Sequence, residues 1–383
     1  MVYKEGNLMK TWIASLAAAG LMMIVSTVHA QAPAGGSSTG ERLKLGVIGF
    51  HHDHVLGFFR NYLKRPDIDI VGYVEPDKAL AARTAERYHL DPKIIYSSVD
   101  ELIEKAHPQA VCTYTSTFEH RAVVETCAKH GVHVMMEKPL AVSLADGLAM
   151  QKAGQEGHIQ VLVNYETSWY RSNRAAQELL KSGAIGGLRK VVVHDGHRGP
   201  REIGCSEDFL SWLTDPKLNG AGALFDFGCY GADLATWLMN GQRPVSVTAV
   251  ALHIKPEVYP KVEDEAVVVV KYPKAEAILQ PSWNWPFDRK DMEVYGKTGE
   301  VFTLAANDVR VRLPGQRAQT QKPASPIAPP YDDQITYLRA VVLEGAKVEP
   351  LSSIETNVTV VEILDAARRS IEEGKTIELP VTR

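Results

Sequence analysis

What this chain has little of narrows it first. Four cysteines in 383 residues are too few for a disulfide scaffold, so an apolar core must hold the fold. Cys112 falls in an apolar strand and Cys127 in a helix, where small buried thiols are common. Cys205 with Cys229 is the one pair worth testing as a disulfide. A formal net charge of −4 supplies no basic field for a phosphate backbone, which excludes nucleic acid as a partner. Membrane-spanning length is short as well, because the apolar run stops after Ile13 to Val28. What is present is ordinary apolar content over a length that accommodates about two domains, each with its own core.

The apolar run follows Met9-Lys10-Thr11-Trp12 and ends in Val28-His29-Ala30. A positive start, an apolar centre and a small-residue end read as a secretory signal over 1–30, cut after Ala30. No Arg-Arg pair precedes it, which argues for export of an unfolded chain. Residues 31–41, rich in Ala, Gly, Pro and Ser, read as a flexible linker. The mature protein is therefore expected in the periplasm or secreted, free of the membrane. Any cofactor has to be captured there.

Residues 42–165 read as an α/β dinucleotide-binding domain. Leu43 to Gly49 is a strand closing on glycine, and Val55 to Leu63 carries helical spacing. In a Gly-x-Gly-x-x-Gly turn, glycines let a pyrophosphate approach the helix N-terminus. Here only Gly49 is in place: the second and third positions of Gly49-Phe50-His51-His52-Asp53-His54 are histidines. Their bulk crowds that approach, while imidazole N–H groups could donate to phosphate. Two of these histidines, such as His51 and His54, could converge on a metal, but no metal is expected. The loop also reads as a plain helix start capped by Asp53. Glu75 ends the next strand, Ile68 to Val74. A carboxylate there suits ribose hydroxyls and repels a 2′-phosphate, favouring NAD over NADP.

His133-Val134-Met135-Met136-Glu137-Lys138-Pro139-Leu140 organises the rest. An apolar parallel strand ends in Glu137 and Lys138, and Pro139 cannot continue it, so Lys138 stands at the carboxyl edge where α/β sheets bind ligands. An isolated Lys-Pro would read as a surface ion pair. With the helix end, glycine stop and strand before it, this stretch resembles the glucose-fructose oxidoreductase, inositol dehydrogenase and MocA family (Gfo/Idh/MocA), over nearly the whole chain after the leader. The resemblance implies that Lys138 is catalytic and that Glu137 beside it, with Thr115, His120 and Asn164, lines the cofactor. Ser116 and Thr117 depart from the family's Thr-Pro-Asn.

Residues 166–383 then read as an α+β substrate domain with a mostly antiparallel open sheet, its last helices packing back on the first domain. Trp169, His197 and Arg198 are candidate substrate contacts. Asn219 to Asp233 resembles the family's Gly-Gly-Gly-x-Leu-x-Asp-x-Gly-x-His-x-x-Asp, with Tyr230 in the histidine position. Asp226 and Tyr230, four apart, share a face on a helix start. The ammonium of Lys138 could favour the Tyr230 phenolate as acid and base, with Asp226 orienting the substrate. Trp283 and Trp285 could face pyranose rings or a second subunit, since open sheets in this family often pair into homo-oligomers. The function expected is NAD-dependent oxidation of a sugar, glycoside or polyol hydroxyl with a tightly held cofactor. Glycoside cleavage through transient oxidation, or carbohydrate binding without catalysis, are the alternatives.

Overall fold

A computed structural model describes residues 40–380. The leader and nearly all of the linker lie outside the described residues. Among the described residues no helix is long and apolar enough to cross a membrane.

The first sheet contains β1 (Leu43–Ile48), β2 (Ile68–Val74), β3 (Ile95–Tyr96), β4 (Ala110–Thr113), β5 (His133–Glu137) and β6 (Val161–Asn164), in the order β3-β2-β1-β4-β5-β6. All pairings are parallel. Helices cover it, so its strands read as continuous apolar runs: Val134, Met135 and Met136 are each at most 2% exposed. Burying such a side chain stabilises the fold by about 1.5–3 kcal/mol. The order reverses between β1 and β4, and that switch point puts the β1 turn, Thr115 and Lys138 along one carboxyl edge.

The second sheet holds β7 (Leu188–Gly196), β8 (Ser246–Leu252), β9 (Glu265–Lys271), β10 (Glu276–Ser282), β11 (Arg289–Gly296), β12 (Glu300–Leu304), β13 (Asp308–Arg312), β14 (Thr320–Pro323) and β15 (Ile377–Glu378). Its order is β14-β13-β12-β11-β7-β10-β9-β8-β15. Every pairing is antiparallel except β7 with β10. This is the α/β plus open antiparallel-sheet architecture expected. Strands β11 to β13, the exposed edge strand β14 and the Arg171–Lys181 helix complete the second domain.

The helix Ile354–Glu373 ties the two sheets. Its Asp365 accepts from Leu144 N at 2.6 Å and its Asn357 from the Tyr165 hydroxyl at 2.8 Å, both in the first domain. The helix Gln334–Glu344 lays Ile335, Tyr337, Leu338 and Val341 into the core that holds Leu43, Leu45 and Val47.

Candidate active site

Lys138 projects from the end of β5 into the seam between the sheets. Its Nζ lies 2.5 Å from Asp226 Oδ1 and 3.0 Å from the Asp226 carbonyl oxygen. Both side chains are 5% exposed. Asp226 is brought there by a tight turn: Gly222 and Leu224 donate their N–H groups to the Glu263 carboxylate at 2.9 Å. A Cβ at Gly222 would sit 1.9 Å from the Glu263 carbonyl oxygen, so only glycine fits. The other carboxylate oxygen of Asp226 accepts from Trp283 Nε1 at 2.9 Å. Burial works against charge on both partners, yet their attraction prevails. Lys138 is held above the ordinary lysine range and Asp226 below the ordinary carboxylate range. At neutral pH this is a buried ion pair.

Tyr230 is 1% exposed and opens the helix Gly228–Leu238, while Asp226 closes the short helix before it. Lys138 sits over the Tyr230 ring at 5.2 Å and over Phe227 at 5.6 Å. The ammonium therefore meets the ring face and spends its donors on Asp226. The expectation that it favours phenolate is overturned: burial, then Glu166 and the other neighbouring anions, push the Tyr230 phenol well up. Tyr230 is a proton donor or a wall.

Asp195, not among the residues singled out from the sequence, lies next to the end of β7 directly opposite Lys290. It is 2% exposed, and neither carboxylate oxygen has a hydrogen-bond partner. Burial raises its pKa well above the usual range, with Lys290 and Lys138 pulling the other way. The signal available was a carboxylate ending an apolar strand that faces the same seam. Trp285 Nε1 and Ser168 Oγ are buried without partners as well, the condition of polar atoms that await a ligand.

The loop after β1 departs from expectation. Gly49 has φ +82°, and a Cβ there would lie 2.9 Å from Thr115 N. Thr115 pairs its hydroxyl with Thr113 at 3.1 Å. Phe50 turns its ring into the core against Phe59 and Tyr73. Glu75 does not present its carboxylate to a ribose: the side chain is fully buried and accepts from Phe50 N and Asp77 N, both at 2.9 Å. His51 lies 3.7 Å from it. Asp53 does not cap its helix but accepts from Ser206 N at 2.8 Å and Ser206 Oγ at 2.6 Å.

His52 and His54 converge, where His51 and His54 were weighed. The His54 Nδ1 lies 3.0 Å from Glu137 Oε2. Glu137 Oε1 accepts from Asn164 Nδ2 at 3.2 Å, and Asn164 Oδ1 from Trp169 Nε1 at 3.0 Å. His52 is 1% exposed under Phe209 and Trp212, with ring centroids 4.6 and 5.3 Å away. His120 contacts Leu140 O through Nδ1 at 3.2 Å, and its Nε2 is buried without a partner. Burial lowers the pKa of both His52 and His120.

Several expected contacts fall elsewhere. Trp283 is fully buried against Tyr259, so it offers no sugar platform. Trp285 is covered by Arg289 at 4.6 Å. His197 stands edge-on to Phe227 at 4.9 Å and accepts from Gly199 N at 2.9 Å, which makes it a loop support beside the cleft. Arg198 is exposed and holds Lys255 through its carbonyl oxygen. Cys205 and Cys229 are free thiols, so the disulfide is not formed.

Two family models match this arrangement: "Oxidoreductase family, NAD-binding Rossmann fold" over residues 43–165 and "GFO/IDH/MocA C-terminal domain" over 173–302. Together they span about two thirds of the chain, and the chain belongs to the GFO/IDH/MocA oxidoreductase family. Among curated proteins it is similar to a trans-1,2-dihydrobenzene-1,2-diol dehydrogenase of Xenopus laevis, 24% identical over 76% of this chain and 88% of that one. The Xenopus tropicalis protein of the same name is 26% identical, and the match spans 52% of its length. The scyllo-inositol 2-dehydrogenase (NADP(+)) IolW of Bacillus subtilis is 20% identical over 88% of this chain and 96% of its own. Among solved structures, the aldose-aldose oxidoreductase of Caulobacter crescentus complexed with glycerol superposes with a TM-score of 0.74. It is 24% identical and covers 88% of this chain and 100% of its own. That likeness establishes the fold.

The cofactor this family implies is a nicotinamide dinucleotide, and the loop as folded does not fit it in the expected manner. Glu75 has both carboxylate oxygens committed to backbone amides, His51 and His54 fill glycine positions, and the Glu207–Leu213 helix covers His52. Gly49 alone keeps the geometry of a dinucleotide turn.

Proposed function

We propose that the protein is an oxidoreductase acting at a hydroxyl-bearing or carbonyl carbon of a sugar, glycoside or polyol held between Lys138 and Asp195. The observation that carries this reading is the buried Lys138–Asp226 pair spanning the two sheets. The diol, inositol and aldose substrates in the relatives' names support the substrate class.

The side chains divide the work. Lys138, fixed by Asp226, places a positive charge where oxygen gains or loses a proton, and that preorganised charge stabilises an alkoxide. Burial raises the Asp195 pKa above the ordinary carboxyl range, which suits it to exchange a proton with the substrate oxygen. Tyr230 closes the site with a neutral hydroxyl. A nicotinamide bound here would supply the hydride acceptor. NAD is the nucleotide to test first, because the first domain matches a family model described as NAD-binding. Export through the leader places this work outside the cytoplasm, where a retained nucleotide would outlast a freely exchanging one. Val250, Leu252 and Val269, exposed on the open sheet, with exposed Ile254 just beyond β8, support a homo-oligomer, which light scattering of the purified protein tests.

A second reading, redox-neutral glycoside cleavage, is favoured by Asp195, since a neutral carboxyl can protonate a leaving oxygen. The experiment is incubation of the purified protein with NAD and a panel of sugars, glycosides and inositols, following both reduced nicotinamide and chromatographed products. Net oxidation yields reduced nicotinamide; cleavage yields free aglycone without it. Ligand binding without either product would overturn the enzymatic reading.

A further inference from the structure

The histidines that spoil the glycine turn are themselves arranged as a donor set. His52 and His54 are two residues apart at the start of the His54–Asn61 helix, and Glu137 ends β5. Because β1 lies beside β4 and β4 beside β5, the loop and the strand end meet at one sheet edge. One potential ligand atom from each of His52, His54 and Glu137 lies within 4.8 Å of the other two. The His54 to Glu137 separation is already 3.0 Å, the spacing of neighbouring ligands around one first-row metal ion.

An independent observation points to a missing partner. His52 is 1% exposed, and its Nε2 has no hydrogen-bond partner, an expensive state for a buried polar atom. Its Nδ1 accepts from His54 N at 3.2 Å, so Nε2 is the ring nitrogen left without a partner. The outer partners are those a ligating carboxylate needs. Asn164 fixes Glu137, and Trp169 fixes Asn164. Access is open on one side: His54 keeps 46% of its side chain exposed and borders a cavity of about 500 Å³ with Glu137, Asn164, Glu166 and Trp169.

We propose that His52, His54 and Glu137 bind one divalent transition-metal ion beside the Lys138–Asp226 pair. Two imidazoles and one carboxylate select zinc, manganese or ferrous iron over magnesium or calcium, which prefer all-oxygen sites. Three protein ligands leave coordination positions open. The cavity lined by His54 and Glu137 has room for substrate hydroxyl or carbonyl oxygens to complete the shell. The bulk that obstructs a pyrophosphate is thereby the source of the ligands.

The test is metal content by inductively coupled plasma mass spectrometry on the full chain, followed by titration of the chelator-treated protein with zinc, manganese and cobalt(II). The expected result is one equivalent bound, with cobalt(II) absorption bands of nitrogen ligation. His52→Ala and His54→Gln should each weaken binding at least a hundredfold. His158→Ala, at an exposed histidine, should retain it. Circular dichroism identifies any variant that fails to fold, and Glu137→Gln, close in shape, provides a further ligand variant. Substoichiometric metal in the wild type, or equal loss in His158→Ala, overturns the site. The measurement needs no turnover, so an inactive protein that binds one equivalent leaves the metal site standing while removing the catalytic reading.

Discussion

Lys138 Nζ and Asp226 Oδ1 meet at 2.5 Å across the seam between a parallel and an antiparallel sheet. Each is supplied by a different half of the chain, so the contact forms only when both halves are folded and docked. Removing one member leaves the other as an uncompensated buried charge, at a cost of about 3–5 kcal/mol. Lys138→Met should lose turnover and that much stability in urea unfolding. Adding Asp226→Asn to Lys138→Met should recover part of the stability and none of the activity. A double-variant destabilisation equal to the sum of the two single-variant losses would show that the pair is not coupled.

Trp283→Phe separates orientation from charge. The indole N–H is the partner of the second Asp226 oxygen, and its loss leaves a buried acceptor unsatisfied at about 1–3 kcal/mol. The carboxylate should remain ionised but turn more freely. A fall in kcat with little change in KM is the expected result.

Asp195 makes the site pH-dependent with a definite sign. Its folded pKa is raised, so its contribution to stability is full below the unfolded value near 3.9. It is lost as pH rises through the folded value. Asp195→Asn should therefore melt higher than the wild type in mildly alkaline buffer, and the difference should shrink toward acid pH. The same substitution should remove one limb of the pH profile of kcat/KM. If that limb persists in the variant, Asp195 is not the exchanging group.

How much of this was legible follows from what sequence patterns encode. Lys138 could be placed because a strand of buried apolar residues, a charged pair and a proline fix where the strand ends. Asp226 could be placed because glycine spacing reports a turn that only glycine can make, as the clash at Gly222 confirms. The partners of those residues were not legible. Trp283 and Asp195 arrive from strands of the second sheet through pairings between segments far apart in sequence, and nothing local announces them. Glu75 was placed correctly at the end of β2, but that its carboxylate would be taken by backbone amides depended on the fold of a loop twenty-five residues earlier. The meeting of His52 rather than His51 with His54 likewise depended on which way a four-residue polar loop turns.

Tyr230→Phe tests the corrected role of the phenol. Because burial and neighbouring carboxylates keep it protonated, the variant should lower kcat/KM about tenfold or less, within the range of a lost hydrogen bond. The shape of the pH profile should not change. Loss of a pH limb in this variant would restore Tyr230 as the exchanging group.

Asp53 holds the cover over the altered loop. Its carboxylate binds Ser206, which starts the Glu207–Leu213 helix, and that helix lays Phe209 and Trp212 on His52. A dinucleotide phosphate reaching the loop would meet both this negative charge and the helix it anchors. Asp53→Ala removes the repulsion and two hydrogen bonds together, so affinity for reduced NAD, read by fluorescence titration, should rise at least tenfold. The gain should be larger at low ionic strength, because the part due to charge is screened by salt. An affinity already tight in the wild type and unchanged in the variant would mean that the nucleotide enters without displacing the Glu207–Leu213 helix.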